Sequence, residues 1–226
     1  MEKNIWSEFA KSYDKVLRSW SLYQELRNKI DCHLANCNLI LDQGCGTGII
    51  AMDLAKKGKL VHGIDTNAEM LARAFENIGD DIKQRIFLKQ GDAHKLEFAD
   101  NYFDGVVSNN VLFYVEEPIK VLKEAHRVLK KDGILVASGP VPNPDIAKLT
   151  QHIVAEFNQK GTYHILKKDL EHFVECSVKL KTTGMPNTYN AAELAKILIK
   201  KIGFSKVVEE SENTYIGQSY FIAAKK

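Results

Sequence analysis

The chain has 226 residues, 45% hydrophobic and 27% charged, which is an ordinary composition for a soluble protein and enough length for one full α/β core. Its 31 basic and 29 acidic side chains leave a formal net charge of +2, and its basic residues gather only in pairs such as Lys167-Lys168, Lys200-Lys201 and Lys225-Lys226, so no nucleic-acid or membrane-surface partner is expected. Apolar runs such as Val111 to Val115 and Tyr220 to Ala224 stop at five residues, whereas a spanning helix needs about 20. Met1-Glu2-Lys3-Asn4-Ile5-Trp6 also places charges where a signal peptide would be apolar, so the expected location is cytoplasmic.

Two helical patterns open the chain, over residues 2–16 and 20–36. Short apolar runs then predict five strands, over residues 38–42, 60–65, 85–90, 103–108 and 133–138. These runs are continuous in Val, Ile, Leu and Phe instead of alternating with polar residues, as in a parallel sheet covered on both faces. Between them, Met70, Leu71, Ala74, Phe75 and Ile78 form one apolar helical face, and Val121, Leu122, Ala125, Val128 and Leu129 form another. The second helix is expected to end at Lys130-Lys131-Asp132-Gly133, with Gly133 as a left-handed cap. Alternation of this kind predicts a doubly wound sheet with right-handed crossovers.

Residues 140–189 break the rhythm. Pro140, Pro142 and Pro144 are excluded from a central strand, and helices are expected near 145–159 and 167–177. A helix over 191–202, Gly203-Phe204 and two last strands, near 205–210 and 215–224, complete the chain. The four cysteines, Cys32, Cys37, Cys45 and Cys176, form no CxxC pair and match neither a zinc site nor a disulfide framework, so four free thiols and no metal are expected.

The densest chemical signal is Leu39-Ile40-Leu41-Asp42-Gln43-Gly44-Cys45-Gly46-Thr47-Gly48, an apolar strand running into three alternate glycines and then a helix. Such a turn lets a ligand lie against bare main chain beside unpaired helix N–H groups, outside the carboxyl end of a strand. A dinucleotide fingerprint would need its third glycine at position 49, which is Ile49, and this counts against NAD and FAD. Seventeen residues beyond Gly48, the second strand ends at Asp65, whose carboxylate can accept from both hydroxyls of a ribose. Its alternative role is capping the helix near Asn67, which Thr66 or Asn67 could also do. The third strand ends in Gln90-Gly91-Asp92-Ala93, where an acid can meet an adenine amino group or simply mark a turn.

Together these residues resemble the class I (Rossmann-like) methyltransferases that use S-adenosylmethionine (SAM), well over residues 36–139 and in element order to the C-terminus. The resemblance implies a seven-stranded, mostly parallel sheet with helices on both faces, its last strand antiparallel and inserted between its neighbours. It implies that Gly44, Cys45, Gly46 and Gly48 surround the methionine portion of SAM. Asp65, with Thr66 beside it, would hold the ribose, Asp92 and Ala93 the adenine, and Asn109 would line the pocket; Asp42 matches the family's acidic residue before the loop. Trp6 to Asp14 looks like the Phe-Ala-x-x-Tyr-Asp entry segment of small-molecule members, so Tyr13 could fold over the cofactor or serve with Trp6 and Phe9 as an apolar helix face.

One domain is expected, with 1–36 as a helical lid, 37–139 as the SAM-binding core, 140–189 as an acceptor-pocket insertion, and 190–226 as the closing helix and strand pair. The expected reaction is in-line methyl transfer to an O, N or C atom of a small molecule, for which no protein nucleophile or metal is required. Tyr13 and His164 are the catalytic candidates; His126 falls beside an apolar helix face and reads as structural. Phe113 and Tyr114 could wall the acceptor pocket or pack below the next helix. Ser108-Asn109-Asn110-Val111 lacks the Asn/Asp-Pro-Pro-Tyr/Phe motif of nucleic-acid amino methyltransferases. Competing readings are an NAD-dependent oxidoreductase, a non-catalytic SAM-binding regulator and, more distantly, a polyamine synthase. Trimming the insertion is expected to change acceptor choice and spare SAM affinity.

Overall fold

The computed structural model describes residues 5–183 and 185–226, apart from the side chain of Lys11. The charged segment Met1 to Asn4 and the expected helix start at residue 2 lie outside the described residues. Helices α1 (Ile5–Ser19) and α2 (Ser21–His33) precede β1 (Leu39–Gln43), α3 (Ile49–Lys56), β2 (Leu60–Asp65), α4 (Ala68–Asn77), β3 (Ile86–Gln90), β4 (Phe103–Asn109), α5 (Pro118–Val128) and β5 (Leu129–Pro140). Then come α6 (Ile146–Gln159), α7 (Tyr163–Thr183), α8 (Ala191–Ile197), β6 (Lys206–Thr214) and β7 (Ser219–Lys225).

The seven strands form one sheet in the order β3-β2-β1-β4-β5-β7-β6. Strands β1 to β5 pair in parallel, and β7 runs antiparallel between β5 and β6. Strand order reverses on either side of β1, so the crevice outside the carboxyl ends of β1 and β4 is where a ligand is expected in such a sheet.

Adjacent residues of each central strand point to opposite faces, and both faces are covered. Ile40, Val107, Val136 and Phe221 pack with α2 and α3 on one side, while Leu41, Val106, Leu135 and Ile222 pack with α5 and α8 on the other. This two-sided burial is why the strand sequences read as unbroken apolar runs. Helix α6 and α7 residues Ile153, Phe157 and Leu170 join the first of these cores and are not a separate layer.

Several local expectations are corrected. Helix α5 ends at Val128, and Leu129 is already extended and opens β5. The left-handed residue in the following segment is Asp132 (φ 63°), not Gly133; Gly133 is needed because a Cβ there would lie 2.8 Å from the carbonyl oxygen of Lys130. Pro140 is the last residue of β5, opposite Ser219, at the strand end where a missing donor is tolerated. Helix α7 is longer than expected at both ends. The helix expected over 191–202 changes to π geometry over Leu198–Ile202, and Gly203 (φ 102°) closes it. All four cysteines are free.

Candidate active site

The carboxyl ends of β1, β2 and β4 open into a cavity of about 410 Å³. Its floor is the turn after β1. Gly44 sits at φ 75°, and any Cβ there would collide with the side chain of Val111, so the turn closes only with glycine at that position. The N–H groups of Gly44 and Cys45 donate to the carbonyl of Ile64 at 2.8 and 2.9 Å, which fixes the turn against β2. Gly48 lies off the cavity wall: at φ 77° it forms the N-cap of α3, and its α-carbon faces Ala74 of α4.

Asp65 points into this turn. Its Oδ2 accepts from the Gly46 N–H at 2.8 Å and its Oδ1 from the Asn67 N–H at 2.9 Å. The cap of α4 is Asn67, whose Oδ1 accepts from the Met70 N–H at 2.9 Å, so Asp65 is not consumed as a helix cap. Each carboxylate oxygen accepts more than one hydrogen bond, and Asp65 faces the cavity with capacity to spare. Burial raises its pKa, and the N–H bonds from Asn67, Gly46 and Thr66 oppose that rise.

Asp42 is 2% exposed and its Oδ2 has no hydrogen-bond partner. Burial, reinforced by the nearby negative charge of Asp65, pushes its pKa up to about 7. A carboxylate kept in this state is a site waiting for a cation or a donor. On the far wall, Asp92 accepts from both the N–H and Nδ1 of His94, at 2.8 and 2.7 Å, and both bonds fall on Oδ1. The bond from the His94 N–H is the main reason its pKa is lowered. Thr66, Ala93 and Asn109 also line the cavity, with the Asn109 Oδ1 accepting from Ser138 at 2.6 Å.

Helix α1 closes the top. Asp14, 5% exposed, accepts from Thr47 of the glycine turn and from Asn77 of α4. Ser7 Oγ meets Asn67 Nδ2 at 3.1 Å. These bonds hold Tyr13 at the mouth, where its side chain bonds Asn110 and burial drives its pKa up to about 12. Both expected roles of Tyr13 therefore coexist: it lines the cavity and also packs on Phe9, ring centroids 5.5 Å apart.

A second chamber, of about 140 Å³, lies behind Tyr13 between α1, α6, α7 and the end of β7. Trp6, Tyr13 and Asn110 line both spaces and so form the boundary. Phe113 walls the second chamber and Tyr114 the first. His164 is exposed on α7 and lines neither, and His126 packs against Phe204, ring centroids 4.9 Å apart. Sequence reasoning assigned no role to Thr47, His94 or Asn110, and placed Met70 only on an apolar helix face and Asp14 only within the entry segment, although all but Asp14 line the first cavity. Asn110 is of a type that tolerates the φ of 57° found there.

A family model described as a methyltransferase domain matches residues 41–137, from within β1 to within β5. The ubiquinone/menaquinone biosynthesis C-methyltransferase of Rickettsia prowazekii is 30% identical over 225 residues, covering 90% of this chain and 84% of its own length. The chain belongs to the class I SAM-dependent methyltransferase family. Another of this methyltransferase's relatives, the demethylmenaquinone methyltransferase of Lactobacillus johnsonii, is 43% identical over 114 residues, 47% of this chain. The chain spans about half the length of several curated relatives it matches, 46% in that case. Magnesium protoporphyrin IX methyltransferase from Synechocystis, solved with bound S-adenosylhomocysteine, superimposes with a TM-score of 0.63 at 19% identity, covering 95% of this chain and 87% of its own. The family's cofactor is SAM, and the oxidoreductase and regulator readings gain no support from these comparisons. Among the described residues, no helix is long and apolar enough to cross a membrane.

The first cavity fits that cofactor. Its volume lies in the range of small-molecule sites, Asp42, whose Oδ2 is buried without a partner, is one of its lining residues, and the turn beneath it has no side chain at Gly44 or Gly46.

Proposed function

We propose that the protein transfers the methyl group of SAM to a small molecule, with the 410 Å³ cavity as the cofactor site and the chamber behind Tyr13 as the acceptor site. The observation that carries this reading is Asp65 aimed into the glycine turn with an unpartnered Asp42 oxygen beside it. Asp65 and Thr66 hold the ribose, Asp92 and Ala93 the adenine with His94 beside them, and Gly44, Cys45 and Gly46 the methionine portion, with Asn109 on the adjoining wall. Gly48 supports the turn from behind.

Bound there, SAM supplies a methyl group already activated by the positive charge on its sulfur. The protein's own work is alignment and exclusion of water. Asp42 balances the cationic ligand, α1 covers it, and Tyr13 and Asn110 frame the opening through which acceptor and methyl group meet. The names of the relatives support quinone precursors as candidate acceptors.

Thermal-shift measurements test the cofactor assignment. At 100 times its dissociation constant a ligand adds about 2.7 kcal/mol, or a rise of roughly 5–11 °C for a chain of this size. SAM and S-adenosylhomocysteine should both produce it and NAD should not; equal shifts with NAD would sink the assignment. Labelled SAM incubated with metabolite extracts then reports transfer.

A further inference from the structure

The 140 Å³ chamber differs from the cofactor cavity in chemistry as well as in size. Among the described residues, no acidic, basic or histidine side chain lines it. Most of its polar side chains are already committed to backbone. The hydroxyls of Thr150, Ser177 and Ser219 donate to the carbonyls of Ile146, Phe173 and Gly139 at 2.8, 2.8 and 2.7 Å. The Gln218 amide accepts from the Asp145 N–H and donates to the Ile216 carbonyl. Asn110 bonds Tyr13. The Tyr215 ring stacks 4.7 Å from Trp20, and its hydroxyl is buried away from the space without a partner. Tyr215 and Ile216 both hold positive φ, 51° and 53°, and strain of this kind in non-glycine residues gathers at functional sites. Aromatic and aliphatic walls from Phe113, Leu149, Ile153 and Phe173 complete the space.

Charge sets a second limit. An ion brought against this wall gives up hydration and meets no counter-charge among its described residues, so a charged acceptor is disfavoured. Base catalysis sets a third: the ionisable groups among the described wall residues are Tyr13 and Tyr215, both kept protonated by burial.

We propose that the acceptor is an uncharged, predominantly apolar molecule that brings its own nucleophile. This rests on the SAM reading above. In the step, the acceptor atom forms the bond to the methyl carbon, the carbon–sulfur bond of SAM breaks, and its electron pair stays on the sulfur of S-adenosylhomocysteine. The acceptor's proton leaves to water, because no wall residue takes it.

Aromatic amines are suitable probes, because aniline is an uncharged nucleophile at neutral pH and needs no base before it attacks. With labelled SAM, aniline should be N-methylated with kcat/KM at least tenfold above that of 4-aminobenzoate, which has the same ring and an added charge. If SAM binds normally and 4-aminobenzoate equals or surpasses aniline, or neither amine is methylated, the acceptor class is wrong while the cofactor site stands. If the wild type shows no SAM shift, it is the methyltransferase reading that falls.

Discussion

Asp42 is a carboxylate held where water cannot solvate it, with Asp65 nearby and one oxygen unsatisfied. Its pKa of about 7 in the fold exceeds its ordinary 3.8, so the folded protein keeps a proton there that the unfolded chain releases. Stability of the ligand-free protein from this group therefore falls as pH rises through that window. Asp42→Asn removes the burden: at pH 8 its ligand-free melting temperature should rise by several degrees, while its SAM-induced shift shrinks. In the wild type, SAM affinity should weaken as pH drops below about 7, where Asp42 loses the charge that faces the cation; calorimetry across pH 5.5–8.5 reads this directly, and a flat profile would separate Asp42 from the ligand. Asp65→Ala deletes a carboxylate whose charge-assisted bonds to a ribose contribute about 1.5–3 kcal/mol each. The dissociation constant for SAM should rise about 100-fold, and less than a threefold rise would remove the ribose assignment. Asp65 was legible from sequence because the strand end and the glycine turn are both local features. Asp42's unpaired state was not, since it depends on what the fold fails to bring near it.

Helix α1 covers the cofactor cavity through few polar contacts, and Asp14 makes most of them. It joins Thr47 and Asn77, and Arg73 stands 3.7 Å away. Asp14→Ala leaves those donors unanswered, at about 1–3 kcal/mol, and loosens the lid more than the sheet. Expected are a SAM dissociation constant roughly tenfold higher and faster proteolysis within α1; in the wild type SAM should slow that cleavage, and in the variant it should not. The sequence marked Tyr13-Asp14 as one motif and read its helical face, yet Asp14's partners lie 33 and 63 residues away. Element boundaries show the same limit. Val121 to Leu129 read as one apolar face, but Leu129 leaves the helix because it pairs with Phe103 across the sheet. Pro140 was excluded from a central strand by its missing donor, and the structure tolerates it as the strand's last residue.

At the scale of the whole molecule, the expectation that trimming residues 140–189 changes acceptor choice and spares SAM affinity meets the packing of the core. Ile153, Phe157 and Leu170 are buried in the same cluster as Trp20, Ile40 and Val107. Each such side chain contributes about 1.5–3 kcal/mol by burial. Removing residues 146–183 should therefore lower the melting temperature by more than 10 °C or leave insoluble protein, as circular dichroism and recovery after expression would report, and acceptor choice is better probed by single changes in the chamber. By itself, the sequence determined the parallel α/β class, the glycine turn and the acid seventeen residues beyond it, because strand burial, turn geometry and strand-end chemistry are written within a few consecutive positions, and the resemblance those residues carry implied the cofactor family. Only the tertiary structure decided how Asp14 ties α1 to the sheet side, that Gly48 stands behind the wall, that His164 is remote, and that no charged side chain among the described residues lines the chamber behind Tyr13. Those properties arise where α1, α6, α7 and β7 converge from distant parts of the chain, and no local pattern encodes the space left between them.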